Sequence, residues 1–114
     1  MLILLYHFAN TQYSELLPVI GANRHSSEDP RAIEKPVVWL TDSPIRAPGV
    51  EAQAQFRHEV EIEEDDPCLF KDESAERLKT EWQYISPDRK DSVAKIETLY
   101  FYTKPILVKS VRSL

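Results

Sequence analysis

Glycine is almost missing from this chain. Only Gly21 and Gly49 occur in 114 residues. A phosphate-cradling loop needs clustered glycines so that backbone N–H groups can approach the ligand. P-loop, kinase and Rossmann chemistries are therefore excluded. Cysteine is scarcer still. Cys68 alone allows no internal disulfide and no zinc site built from several thiolates, and it points to a reducing compartment. It sits beside Pro67 among acids, poor surroundings for a thiolate nucleophile. Long apolar runs are absent too. The opening MLILL, Met1 to Leu5, is too short for a signal peptide core or a membrane span, and no basic region precedes it. The expectation is a soluble, cytoplasmic protein with no membrane partner. The three histidines, His7, His25 and His58, lie in separate segments without an HExxH spacing, so no metal site is expected.

What is present is acid. Formal net charge is −5, and Glu59, Glu61, Glu63, Glu64, Asp65, Asp66, Asp72, Glu73 and Glu76 face only Lys71 over that stretch. Such a surface repels a nucleic-acid backbone. It is either a solvated segment that aids solubility or a patch that docks on a basic partner. Arg24, Arg31, Arg46 and Arg57 lie outside it and leave room for a local basic pocket.

Hydrophobic residues make up 42% of the chain, enough for one modest core in a single domain, residues 1–114. Leu2 to Phe8 is apolar throughout and predicts a strand inside a sheet. Tyr13, Leu16, Leu17 and Ile20 recur at helical spacing, with Asn10 or Thr11 as cap, Pro18 as a kink and Gly21 as the stop. Residues 22–36 read as a polar loop. Val37 to Thr41 predicts a second strand. Gln55 to Ile62 alternates, with Phe56, His58, Val60 and Ile62 on one face and Arg57, Glu59 and Glu61 on the other. Short helices are expected from Glu73 to Trp82 and from Pro87 to about Val93. Ile96 to Tyr102 and Ile106 to Val111 then predict a closing hairpin around Lys104-Pro105. The sum is an α+β domain: a compact mixed or antiparallel sheet with two or three short helices.

The opening YHFAN, the following ELLPVIG and the later VVWLT resemble the start of small ADP-ribosyltransferase-like proteins over about the first 45 residues. The resemblance implies that fold, and with it NAD as cofactor and transfer of ADP-ribose to a protein or nucleic-acid acceptor. It implies that His7 holds the ribose and amide side of NAD, and that Trp39 and Thr41 line the nicotinamide pocket, with Ser43 close behind. It also implies a late glutamate that orients a ribose hydroxyl and stabilises the cationic transition state. Glu97 and Glu81 are the candidates, and neither sits in a recognisable glutamate motif.

Each residue also has a plainer role. His7 can bond a backbone carbonyl. Trp39 can pack in the core while Thr41 makes a local turn contact. Arg57 can hold a phosphate through paired hydrogen bonds or pair with a neighbouring acid. Glu81 and Glu97 can be surface residues. The competing reading is a non-catalytic small acidic protein that binds and inhibits a protein partner, an inhibitor or phage-type accessory protein. It would dock through its acidic surface and aromatics such as Tyr84, Tyr100 and Tyr102. Nucleic acid enters only as a modified acceptor, and the residues do not reveal an oligomeric state.

Overall fold

The computed structural model describes residues 1–20, 31–32, 35–45, 54–73 and 98–114, and every named element among them is a β-strand. These are β1 (Leu2–Ala9), β2 (Glu15–Leu16), β3 (Val38–Thr41), β4 (Phe56–Glu63), β5 (Leu69–Lys71), β6 (Leu99–Tyr102), β7 (Ile106–Leu107) and β8 (Ser110–Ser113). Six of them form one sheet in the order β5-β6-β3-β1-β4-β8, and β2 pairs with β7 in a separate ribbon. Every pairing is antiparallel.

This corrects the α+β expectation and, with it, the resemblance to ADP-ribosyltransferase-like proteins. The decisive segment is 13–20. Only Leu16 of its apolar set is buried, while Tyr13, Leu17 and Ile20 stay exposed. A helix would have needed one shared apolar face. Instead the backbone finds partners on other strands. Glu15 and Leu16 pair with Leu107 and Ile106, the Val108 N–H donates to the Ser14 carbonyl at 3.0 Å, and Val19 bridges Val37. Pro18 has no N–H to give either structure and separates β2 from that bridge. The segment is thus an extended strap. The expected helices from Glu73 to Trp82 and from Pro87 to Val93 fall on or run into positions outside the described residues.

The closing hairpin is also corrected. After β6 the chain turns at Thr103 to Pro105 and leaves the sheet. β7 joins the strap, and β8 returns to pair with β4. The last bond on that edge runs from the Thr103 N–H to the Cys68 carbonyl, and Pro105, which has no N–H, cannot extend the ladder.

At β3 the sheet is buried on two faces, which explains why VVWL is apolar without alternation. On one face Leu5, Val38, Leu40, Val60 and Ile62 pack with Leu16 of the strap and half-buried Ile106. On the other, Trp39, Phe101 and Phe70 stand directly across from one another on β3, β6 and β5. The Trp39 and Phe101 rings meet edge-on at 5.5 Å, and Phe70 stacks on Phe101 at 5.4 Å. The Arg31 guanidinium covers this row, 4.9 Å from the Phe70 ring centre, and also donates to the Lys71 carbonyl. In β4 the alternation is strict: His58, Val60 and Ile62 are buried and Glu61 and Glu63 exposed.

Candidate functional site

Where the strap crosses the end of β1 and the start of β3, it leaves an open cavity of about 430 Å³. The walls are mostly apolar: Phe8, Leu16, Leu17, Val19, Val37, Val38 and Trp39, with His7, Tyr13 and Glu15 supplying polar groups. Leu16, Val37, Val38 and Trp39 belong to the two cores, so the floor is fixed by packing. Leu17 and Val19 belong to the strap and are 57% and 49% exposed, and neighbouring Ile20 is 66% exposed. Volume, apolar lining and a few polar groups are those of a binding pocket.

Two histidines tie the three segments around the cavity together. The Nδ1 of His7 lies 2.8 Å from the Trp39 carbonyl oxygen, an acceptor, so this nitrogen carries the proton and donates. The Nδ1 of His58 likewise donates to the His7 carbonyl at 3.1 Å. The other nitrogen of His58, Nε2, accepts the Tyr13 N–H at 3.0 Å. One nitrogen must hold a proton and the other a lone pair. The ring is therefore neutral, in the Nδ1–H form. His58 is fully buried. Burial pushes its pKa below the ordinary value of 6.5, and the bond to the His7 carbonyl opposes this in part. The Tyr13 ring lies 5.5 Å from the His58 ring, and the His7 ring meets it edge-on at 6.0 Å.

The six residues singled out from the sequence are not brought to one place. His7 and Trp39 both line the cavity. Trp39 does so as a core residue, 3% exposed. Thr41 is fully buried away from the cavity, and its Oγ1 accepts the Ser43 N–H at 3.1 Å. Arg57 lies elsewhere: its guanidinium carbon sits 5.1 Å from the Tyr6 ring centre, and Nη1 donates to the Pro44 carbonyl at 2.8 Å. Its Nε is buried without a hydrogen-bond partner. Its neighbour on β8 is Arg112, not an acid. Glu81 and Glu97 lie outside the described residues.

The acids of β4 have local partners. Glu61 pairs with Lys109, Glu59 accepts from the Ser110 hydroxyl, and Glu63 binds the amino terminus. Asp66 closes its own turn through the Cys68 N–H and accepts the Tyr102 hydroxyl, both at 2.8 Å. Among the described residues no three histidine, cysteine or carboxylate side chains gather to hold a metal ion. Nor is any described helix long and apolar enough to cross a membrane.

The residue that sequence reasoning passed over is His58. The signal was there: it occupies a buried position of an alternating strand, between Phe56 and Val60, where a polar ring needs two specific partners. Tyr13, Glu15, Leu17 and Val19 were hidden by the helical reading of the strap.

Comparison of the chain with protein-family models, curated proteins and solved structures gives no match. Among the described residues every named element is a strand, which removes the resemblance from which NAD-dependent ADP-ribosyl transfer was inferred, and the transferase reading loses its ground with it.

Proposed function

We propose that this chain is a binding protein whose cavity receives an apolar anchor side chain from a protein partner. The observation that carries this is the exposure of the cavity's own walls. Leu17 and Val19 line the pocket and stand half in solvent, with Tyr13 and Ile20 beside them. A site for a free small molecule encloses its ligand. Here large apolar groups continue outward from the pocket as a rim, the arrangement in which a partner's anchor enters a concavity and the surrounding surface excludes water.

Charge narrows the partner. The chain carries a net −5, and Glu15 stands on the cavity wall. The partner segment that complements this has an aromatic or branched aliphatic anchor flanked by lysine or arginine. The net negative charge then acts as a diffuse field that steers a basic partner.

The test is site-specific photocrosslinking in cells, with a photoreactive phenylalanine analogue at Leu17 or Val19 and, as control, at Lys104. Expected is one discrete adduct from positions 17 and 19, absent from 104. Its adduct peptide should carry the anchor and a basic neighbour, and Leu17→Glu should abolish complex formation with the purified partner. Equal labelling from all three positions, or none, overturns the reading.

A further inference from the structure

The strap that walls the cavity is held to the sheet by an imidazole, and this bond has a protonation state built into it. Tyr13 is a wall residue, and its N–H ends on Nε2 of His58. His7 is also a wall residue, and its carbonyl takes the other His58 nitrogen. A proton added to Nε2 points an N–H at an N–H. The bond to Tyr13 is then lost, and a cation is left in a fully buried position.

Among the described residues, nothing around the ring compensates that cation. From β1 the titratable group facing it is His7, itself donating to the Trp39 carbonyl. From the strap it is the Tyr13 phenol, with Glu15 two residues further along the same wall. From β8 the residue across from His58 is Val111. On β4 itself, Arg57 and Glu59 alternate to the opposite face. No described carboxylate forms an ion pair with the ring.

We propose that His58 is a proton-operated latch on the Tyr13 wall of the cavity: the neutral ring holds the Tyr13 end of the strap against the sheet, and the protonated ring releases that end. Its consequence for partner binding rests on the docking role given to this cavity above. The latch itself belongs to the free chain and stands or fails without a partner. Release frees the Tyr13 end of the strap, while the β2–β7 pairing, buried Leu16 and the Val19–Val37 bridge keep the rest in place, so the cavity opens on its Tyr13 side. Docking is then strong at neutral pH and weak in acid.

The test uses the isotopically labelled full chain in solution. Ring nitrogen shifts of His58 report its tautomer and its titration, and hydrogen exchange reports the Tyr13 amide. Expected at neutral pH is a bare Nε2 and a protonated Nδ1. On acidification the Tyr13 amide should exchange roughly tenfold faster relative to the Leu40 amide, the loss of one hydrogen bond to the ring. Both changes should share one midpoint. His58→Asn, which cannot titrate, should make Tyr13 exchange independent of pH once intrinsic rates are divided out. If that variant does not fold, the wild-type titration alone decides. A Tyr13 amide that stays protected while His58 protonates overturns the latch, and so does a ring found with its proton on Nε2. Failure of the docking role shows instead as absent crosslinks at Leu17 and Val19, with the latch intact.

Discussion

Truncating Phe101 to alanine tests the double-sided burial on which the whole arrangement depends. Phe101 is fully buried, edge-on to Trp39 and stacked on Phe70, under the Arg31 guanidinium. Removing the ring loses the transfer free energy of a large apolar side chain, about 2–3 kcal/mol. It also leaves a cavity between rigid strands and forfeits two aromatic contacts. Buried phenylalanine truncations cost about 3–5 kcal/mol in total. With an unfolding entropy of about 2.1 cal/mol/K per residue, this corresponds to a fall in Tm of roughly 12–20 °C. The loss is a large share of an ordinary domain's stability of about 5–15 kcal/mol. The assay is urea and thermal unfolding followed by circular dichroism, with Phe101→Leu as a milder control. A fall below roughly 4 °C, or about 1 kcal/mol, would refute the reasoning. It would mean that the aromatic row is a surface feature and that the sheet has one core face.

Three further outcomes follow from the same contacts. The His58 pKa is lowered on folding, so the unfolded chain binds the extra proton first. The histidine's contribution to stability is therefore complete above about pH 6.5 and is lost as pH falls from there towards the folded value. Urea midpoints measured between pH 7.5 and 5 should fall in wild type and flatten in His58→Asn. Burial and the hydrogen bond to Asp66 push the Tyr102 phenol up to about 12, so its stabilising effect holds below pH 10 and disappears between pH 10 and 12. Ultraviolet titration should show a late tyrosine step, and Tyr102→Phe should remove that step at a cost of about 1 kcal/mol. Arg57→Met gives up one bond to the Pro44 carbonyl and the Tyr6 contact, but also removes a buried nitrogen without a partner. Urea unfolding should place it within about 1 kcal/mol of wild type.

The amino-acid pattern by itself determined the framework strands. Leu2 to Phe8 and VVWLT read as strands inside the sheet because their residues are apolar in both phases, the pattern of a strand covered on both faces; β3 is covered so, whereas Leu2 and Leu4 of β1 stay exposed. The alternation from Phe56 to Ile62 placed His58, Val60 and Ile62 on the inner face because successive side chains in a strand point to opposite sides. The charge imbalance and the lack of clustered glycines were likewise complete in the sequence, and they excluded whole classes of chemistry before any packing was considered.

Only the tertiary structure decided the rest. The apolar residues at 13, 16, 17 and 20 satisfy a helical period, yet the strap is extended because β7 and Val37 supply its hydrogen bonds from far along the chain. No local window contains those partners. The separation of β7 and β8 from β6 depends likewise on which distant strand each segment meets. The candidate site follows the same rule. His7 and Trp39 meet at one cavity because β1 and β3 are neighbours, while Thr41, further along β3 on the Trp39 face, accepts the Ser43 N–H and Arg57 is drawn to the Pro44 carbonyl. The state of His58 was the least legible feature. A histidine's chemistry is set by what its two nitrogens touch, and here those partners lie 51 and 45 residues away. Residue type supplied the capacity to take up a proton. The fold alone decided that the proton's place is already filled by the backbone N–H of Tyr13.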